Sequence, residues 1–206
     1  DEELIDVERQ SLHRSWFQED TIDHWRHNRM YEPVFKCLSH TKNDLWLSIG
    51  DGRYGLDSIK MQRKGWKNVF PTDVAVALLE QSKELGLIND YGLENAENLS
   101  FADNCFDYVL CKESLHHMAR PYLALYEMVR VARLAAVIIE PQCQMVDLPV
   151  IKNAKPHYED DGNYVYGISK SELTKLALGL NLPAVATKGL VDFYLEGYEF
   201  EPAQKD

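Results

Sequence analysis

The stretch Leu45–Gly55, LWLSIGDGRYG, joins a short apolar segment to a turn with three glycines. Four of its first five residues are apolar, which predicts a buried strand, and a helical pattern begins after Gly55. Glycines let a backbone turn tightly and approach a ligand, and the N–H groups at a helix start face an anionic or polar group. The stretch predicts a nucleotide-cofactor pocket, and a glycine-rich turn without a ligand is the plain alternative.

Two later features strengthen this prediction. Asp73 follows the short strand KNVFP at about 20 residues from the turn, where a nucleotide fold places an acid on the ribose hydroxyls. A third segment, NAENLSFADNCFDYVLCKESLHHM, runs from Asn95 to Met118. It contains an apolar strand pattern, FDYVLC, between a polar turn and a pair of histidines.

Together these features resemble the class I S-adenosylmethionine-dependent methyltransferases, and within them the small-molecule type. That family carries a glycine motif, an acidic end to the second strand, and a segment like "DAE-LPF-D-SFD-V-----LHH". The corresponding segment here reads NAENLSFADNCFDYVLCKESLHH, and the resemblance covers roughly residues 44–142.

The resemblance implies S-adenosylmethionine as the cofactor and an O- or N-methylation of an unidentified small-molecule acceptor. In it the glycine turn faces the methionine and ribose portion, Asp73 accepts from both ribose hydroxyls, and the end of the fourth strand lies under the amino-acid portion. The implied cofactor-binding residues are Gly50, Asp51, Gly52, Gly55, Asp73, Val74, Asn95, Ala96, Glu97, Cys111 and Lys112.

The glycine motif departs from the family pattern at two positions. Ser48 stands where the family has an acid, and Tyr54 stands where it has a third glycine, with Gly55 one residue later. Asp51, between the first two glycines, is a candidate replacement carboxylate for the cofactor's ammonium group. These differences affect the contacts expected at the amino-acid end.

His116 and His117 are the candidate catalytic residues, because histidine titrates near neutrality and suits a general base for a hydroxyl acceptor. The alternative is structural, since the family's LHH often packs one ring near the cofactor and the other under the sheet. Glu113 and Glu140 follow predicted strands and are further candidate bases, each also suited to a hydrogen-bonding role. A nucleophilic acceptor would need no strong base.

Alternating strand and helix patterns predict an α/β fold with a parallel sheet. Ser169 and Glu172 form a capping box for one of its later helices. The resemblance implies a Rossmann-like, mostly parallel seven-stranded sheet with helices on both faces and an antiparallel last strand. The predicted strands are 44–49, 67–71, part of 90–96, 106–111, 134–140, 183–191 and 192–200.

Residues 1–43 read as a helical, aromatic-rich extension and possible lid, and 44–206 as the methyltransferase domain. Asp20 or Thr21 is its expected helix cap. The irregular stretch 141–167 is a second candidate lid over the acceptor. His24 and His27 share a helix face, but no Cys or carboxylate pattern joins them, so we expect no metal.

The composition limits the partners. A formal net charge of −11 argues against nucleic acid and anionic membranes, which need a basic footprint. No apolar run reaches transmembrane length and no signal peptide is visible. The four cysteines show no CxxC spacing, so we expect reduced thiols and a cytoplasmic location. Nothing in the sequence indicates an oligomeric state.

Two other classes of function stay open. Gly50, Gly52 and Gly55 spell G-x-G-x-x-G, which also suits an NAD(P)-dependent oxidoreductase, although that fold has no segment like FDYVL…LHH after its third strand. A non-catalytic scaffold that keeps the cofactor-binding fold is the second alternative.

Overall fold

The computed structural model describes residues 17–141, 164–191, 198 and 201–203. These residues fall into two compact units, one drawn from 1–39 and 188–206 and the other from 40–187. Most of the candidate lid at 141–167, and Cys143, lie outside the described residues. No described helix is both long enough and apolar enough to cross a lipid bilayer.

The first unit contains helix α1, Ile22–Cys37. Thr21 caps it as predicted, because its side-chain oxygen accepts from the His24 N–H at 3.2 Å. The start of α1 is joined to the end of the chain by two backbone bonds, from Ile22 N to Glu201 O and from Ala203 N to Asp20 O. The lid role of residues 1–43 stays a prediction.

The second unit alternates strands and helices as predicted. Its elements are β1 Leu45–Ile49, α2 Leu56–Arg63, β2 Asn68–Asp73, α3 Ala77–Glu84, β3 Gly92–Leu93, β4 Phe106–Lys112, α4 Pro121–Val131, β5 Ala132–Ile139 and α5 Lys170–Gly179. The predicted capping box of Ser169 and Glu172 opens α5.

The five strands form a parallel sheet in the order β3-β2-β1-β4-β5. The strand predicted over 183–191 is wrong: these residues have no regular structure. Val185, Leu190 and Val191 are exposed there, so this apolar run does not gain the burial that a sixth strand would provide. The predicted seventh strand, 192–200, lies outside the described residues except for Tyr198.

The main core lies between the sheet and helices α4 and α5. Alternate residues of β1 and β4 face it, since side chains in a strand point to opposite faces. Its members include Leu47, Ile49, Val109, Cys111, Ala124, Leu125, Met128, Leu173 and Leu176. Strand β5 is less buried than β1 and β4: most of its residues are only half-buried and Leu134 is 53% exposed. The reason is that β5 is an edge strand in the described sheet.

Arg130, at the end of α4, fixes the loop that precedes β4. Its guanidinium donates to the backbone carbonyls of Leu99 and Phe101 and to the carboxylates of Asp103 and Glu127. Glu127 in turn accepts from the Leu99 N–H at 2.9 Å. The Arg130 hydrogen bond lowers the pKa of Glu127, which therefore stays ionised. The planar guanidinium of Arg130 can therefore hydrogen-bond several backbone and side-chain groups of this loop at once.

We predict that Arg130→Ala lowers the free energy of unfolding by about 2–3 kcal/mol, the scale of lost charged hydrogen bonds that leave carbonyls unsatisfied. Arg130→Lys should restore little of this free energy of unfolding, because a lysine ammonium cannot make the same set of planar hydrogen bonds as the guanidinium. Urea denaturation measures the effect. The control is Arg133→Ala, since Arg133 is exposed and bonds only the Asp107 carboxylate among the contacts described. Arg133→Ala should lower the free energy of unfolding by less than about 1 kcal/mol. An equal loss for Arg130→Ala and Arg133→Ala would contradict the role given to Arg130.

Candidate active site

The chain changes direction in the sheet between β1 and β4. From β1 it moves outward to β2 and β3, then crosses back to pair β4 on the other side of β1. Ligands in open parallel sheets bind at the carboxyl ends of the strands beside such a switch point. All the predicted site residues lie at these carboxyl ends or directly after them.

Gly50 begins the turn after β1 and lies against the turn after β4. Its φ is +71°, and a Cβ there would come within 1.9 Å of the Ser114 side-chain oxygen. Both the backbone conformation and the close approach therefore require glycine at this position. Nothing in the sequence indicated Ser114, because the contact depends on β1 and β4 being neighbours.

Gly52 is bound to Asp73, which closes β2. The Gly52 N–H donates to one carboxylate oxygen at 2.9 Å, and the Ala75 N–H donates to the other at 2.8 Å. A Cβ on Gly52 would lie 2.6 Å from the Asp73 carboxylate. The glycine turn and the acid that closes β2 are thus neighbours, and the absent side chain of Gly52 makes room for Asp73.

Asp51 caps helix α2 from within the turn. It is buried, and its carboxylate accepts from the N–H groups of Asp57 and Ser58 and from the Ser58 hydroxyl. Burial, followed by the nearby Asp57 charge, raises the pKa of Asp51 to about 7, and its hydrogen bonds oppose that shift. The carboxylate thus faces α2. A contact of Asp51 with a cofactor ammonium stays a prediction.

Tyr54 and Gly55 complete the turn in left-handed backbone conformations, with φ of +59° and +69°. Tyr54 thereby adopts the conformation that a glycine would adopt most easily. Two bonds to α3 hold it there: its hydroxyl donates to Gln81 at 2.8 Å and its carbonyl accepts from Ser82 at 2.8 Å. Ser48, where the family has an acid, is buried, and its hydroxyl has no hydrogen-bond partner among the described residues.

The turn after β3 contains Asn95, Ala96 and Glu97, three of the residues implied to bind the cofactor. Asn95 is exposed and its side-chain oxygen accepts from the Glu97 N–H at 3.0 Å, while Ala96 is buried in the core. Glu97 accepts from the backbone N–H and the guanidinium of Arg120, both at 2.7 Å. Arg120, which the sequence did not suggest, thus joins this turn to the start of α4.

The end of β4 contains two residues assigned to the cofactor's amino-acid end. Cys111 is fully buried in the core, and burial raises its pKa well above the usual range, so its thiol stays protonated. Lys112 is also buried and donates to Glu113 at 2.5 Å. Glu113 has a φ of +47°, a strained conformation that turns the chain sharply after the strand.

The two histidines lie in different environments, although their rings are 4.0 Å apart. His116 is buried and its Nδ1 lies 2.5 Å from the carboxylate of Glu140, which directly follows β5. His117 is exposed. Val74, assigned to the cofactor, is also exposed, beyond the end of β2. No cluster of His, Cys, Asp or Glu in the described part of the chain could hold a metal ion.

We predict that the Asp51 carboxylate makes stability depend on pH. Its folded pKa of about 7 lies above its ordinary value of 3.8, so the folded protein binds the extra proton between these values. Its contribution to stability is therefore lost as pH rises towards and through about 7. Asp51→Asn removes the titration, so wild type should lose stability relative to the variant from about pH 4 to about pH 7 and no further above that.

Thermal unfolding across that range measures the difference. The control is Asp90→Asn, an exposed residue whose pKa is lowered by Lys83, so its effect should be constant over the same range. A constant difference between wild type and Asp51→Asn would show that Asp51 does not titrate as described.

Known proteins resemble this chain over the same region. Residues 47–139 match the family model described as a methyltransferase domain. No curated protein matches the sequence at a significant level. A solved S-adenosylmethionine-dependent methyltransferase from Methanosarcina mazei is 21% identical, with a TM-score of 0.54 over 72% of this chain and 83% of that one.

Two further solved structures share the fold. The [4+2]-cyclase SpnF is 20% identical, with a TM-score of 0.57 over 73% of this chain and 56% of that one. A putative methyltransferase from Bacillus halodurans is 16% identical, with a TM-score of 0.54 over 71% of this chain and 66% of that one. This chain thus spans less than two thirds of either protein. Residues 47–139 of this chain are thus similar to a methyltransferase domain, and its parallel-sheet fold is shared with a solved S-adenosylmethionine-dependent methyltransferase.

Proposed function

We propose that this protein binds S-adenosylmethionine at the carboxyl ends of β1, β2 and β3 and catalyses methylation of a small molecule at oxygen or nitrogen. One observation carries the proposal: the Gly52 N–H donates to the Asp73 carboxylate at 2.9 Å, beside the switch point of the sheet. This arrangement presents a bare backbone next to an acid, the combination that a ribose-containing cofactor requires.

The residues at the carboxyl ends of β2 and β3 fit such a cofactor. Each oxygen of Asp73 accepts one described backbone N–H, and a carboxylate oxygen can accept twice, so capacity remains for two ribose hydroxyls. Asp73 is only half-buried, which leaves it reachable from solvent. The turn at Asn95 and Glu97 follows strand β3, which pairs with β2 at Asp73, so a base next to the ribose could reach this turn.

In the reaction the chain mainly binds and orients. Bound S-adenosylmethionine would supply a methyl group activated by a sulfonium, so the chemistry is the cofactor's. Asp73 would fix the ribose, and the rigid turn at Gly50 and Gly52 would fix the portion next to it. Holding both reactants in line replaces a bimolecular encounter and excludes water, which is a large share of the rate enhancement.

The fold alone does not determine the chemistry, since SpnF shares it and is described as a cyclase. The methyltransferase-domain match supports methyl transfer over the oxidoreductase alternative. A non-catalytic scaffold would bind the cofactor without turnover. A test of the proposal therefore needs two measurements, binding of S-adenosylmethionine and release of S-adenosylhomocysteine.

We predict that Asp73→Asn weakens S-adenosylmethionine binding by about 1.5–3 kcal/mol, the scale for losing a charged acceptor. Asparagine is preferable to alanine here, because its amide oxygen keeps an acceptor for one of the two N–H groups of Gly52 and Ala75, whereas alanine removes the acceptor of both. Isothermal titration calorimetry with S-adenosylmethionine, and with NAD as the competing ligand, measures the change.

The matched control is Asp90→Asn, an exposed acid paired with Lys83, which should leave the affinity unchanged. Circular dichroism checks that both variants fold. Equal affinity of wild type and Asp73→Asn would remove Asp73 from the site, and tighter binding of NAD than of S-adenosylmethionine by wild type would overturn the proposed function.

A further inference from the structure

The Glu140 carboxylate joins three groups of the turn after β4. Its side chain is 5% exposed. One oxygen accepts from the Ser114 and Leu115 N–H groups, both at 2.8 Å, and the other lies 2.5 Å from Nδ1 of His116. The two backbone donors fix which oxygen faces the histidine, so the pair has one defined arrangement.

This arrangement sets the tautomer of His116. An ionised carboxylate only accepts hydrogen bonds, so Nδ1 carries the proton and donates it to Glu140. In the neutral imidazole the second ring nitrogen, Nε2, then has a lone pair, and it makes no hydrogen bond to a described residue. A buried carboxylate that holds an imidazole in this tautomer is how a histidine is prepared to act as a base.

From this geometry we infer that His116 is the general base of the site, that Glu140 is its positioning residue, and that the acceptor is a hydroxyl compound. The inference rests on the proposed function. The acceptor oxygen forms a bond to the methyl carbon as the carbon–sulfur bond breaks, and that bonding pair returns to sulfur, which leaves as a neutral thioether. The acceptor's O–H proton moves to Nε2 of His116 and then to solvent.

A hydroxyl acceptor is the class that needs this pair. An unprotonated amine already has a free lone pair, and a thiol ionises readily, so neither needs a buried base to accept a methyl group. A hydroxyl is a poor nucleophile until its proton is removed. Nε2 of His116 makes no hydrogen bond within the described chain, and it is not one of the buried side-chain atoms without a partner there, so solvent or an acceptor can reach it.

The residues around His116 also indicate the polarity and charge of the acceptor beyond its hydroxyl group. The His116 carbonyl accepts from the Tyr166 N–H at 3.0 Å, which ties Tyr166 to this turn. Tyr164 packs edge-on against Tyr166 with ring centres 4.9 Å apart, and both side chains are partly exposed. Aromatic faces suit an apolar ring, whereas the Glu140 carboxylate disfavours an anionic compound. An uncharged hydroxyl compound with an apolar body fits best.

Glu140→Gln tests the positioning role without removing the shape of the side chain. The Ser114 and Leu115 N–H groups require an oxygen, so the glutamine amide nitrogen must face His116. That amide can only donate, which turns Nδ1 into an acceptor and moves the ring proton to Nε2. The base is then lost while the fold is kept, which is how an amide in place of the orienting acid removes activity in a catalytic triad.

The first readout needs no acceptor. Nitrogen-15 NMR of the histidine rings, in the complex with S-adenosylhomocysteine, should show Nδ1–H for His116 in wild type and Nε2–H in Glu140→Gln. Diethyl pyrocarbonate, which acylates unprotonated imidazole nitrogens, should modify His116 in wild type and about tenfold more slowly in Glu140→Gln. The exposed His40 is the internal reference, and Glu84→Gln, an exposed acid on α3, is the matched control.

The second readout uses benzyl alcohol and benzylamine as paired probes, with release of S-adenosylhomocysteine measured. We expect methylation of benzyl alcohol, and a loss of about a hundredfold or more in kcat for Glu140→Gln and His116→Asn, with cofactor affinity within about twofold. Wild type with Nε2–H, equal modification of His116 in wild type and Glu140→Gln, or methylation of benzylamine alone would overturn the inference.

Failure of the proposed function would look different. Wild-type protein that does not bind S-adenosylmethionine would contradict the proposed function, whereas bound cofactor with the wrong His116 tautomer would contradict only this inference. If His117→Asn, rather than His116→Asn, removed methylation of the alcohol, the base would be the exposed histidine and the role of Glu140 would be wrong.

Discussion

The hydrogen bond between the Gly52 N–H and the Asp73 carboxylate is the contact on which the candidate site depends. It joins the turn after β1 to the end of β2, and it forms only because Gly52 has no Cβ. Turns at a sheet edge leave backbone N–H groups without partners in the ladder, and these groups must be satisfied. Here an acid at the end of the next strand satisfies one of them and fixes the distance between the two strand ends.

Two other acids, Asp51 and Glu140, also accept hydrogen bonds from backbone N–H groups at the carboxyl ends of the strands. Asp51 accepts from the first turn of α2 and is enclosed by it, so its charge serves the helix. Glu140 accepts from the turn after β4 and from His116. Asp73 and Glu140 are both half-buried residues, although the Glu140 side chain itself is only 5% exposed. Asp73 combines a position fixed by two N–H groups with access from solvent, which a carboxylate needs if it is also to meet a ligand.

The departures from the family's glycine motif are accommodated locally. Ser48 stands where the family has an acid and carries no carboxylate. Asp51, three residues later, does carry one, and it accepts hydrogen bonds from the start of α2. Tyr54 takes the left-handed conformation of the expected glycine and is held by Gln81 and Ser82 of α3. The strain of a non-glycine residue at positive φ is thus compensated by two hydrogen bonds to a neighbouring helix. The turn keeps its path although its residues differ.

The sequence by itself determined the alternation of strands and helices with a parallel sheet, the start of α1 near Thr21 and the capping box of α5, because periodicity and caps are local properties. Only the tertiary structure distinguished His116 from His117, turned Asp51 towards α2 and brought Ser114 against Gly50. It also showed that residues 183–191 do not form the strand predicted for them. These outcomes depend on which elements become neighbours, and strand order and burial arise from packing across the whole sheet, which a local pattern does not encode.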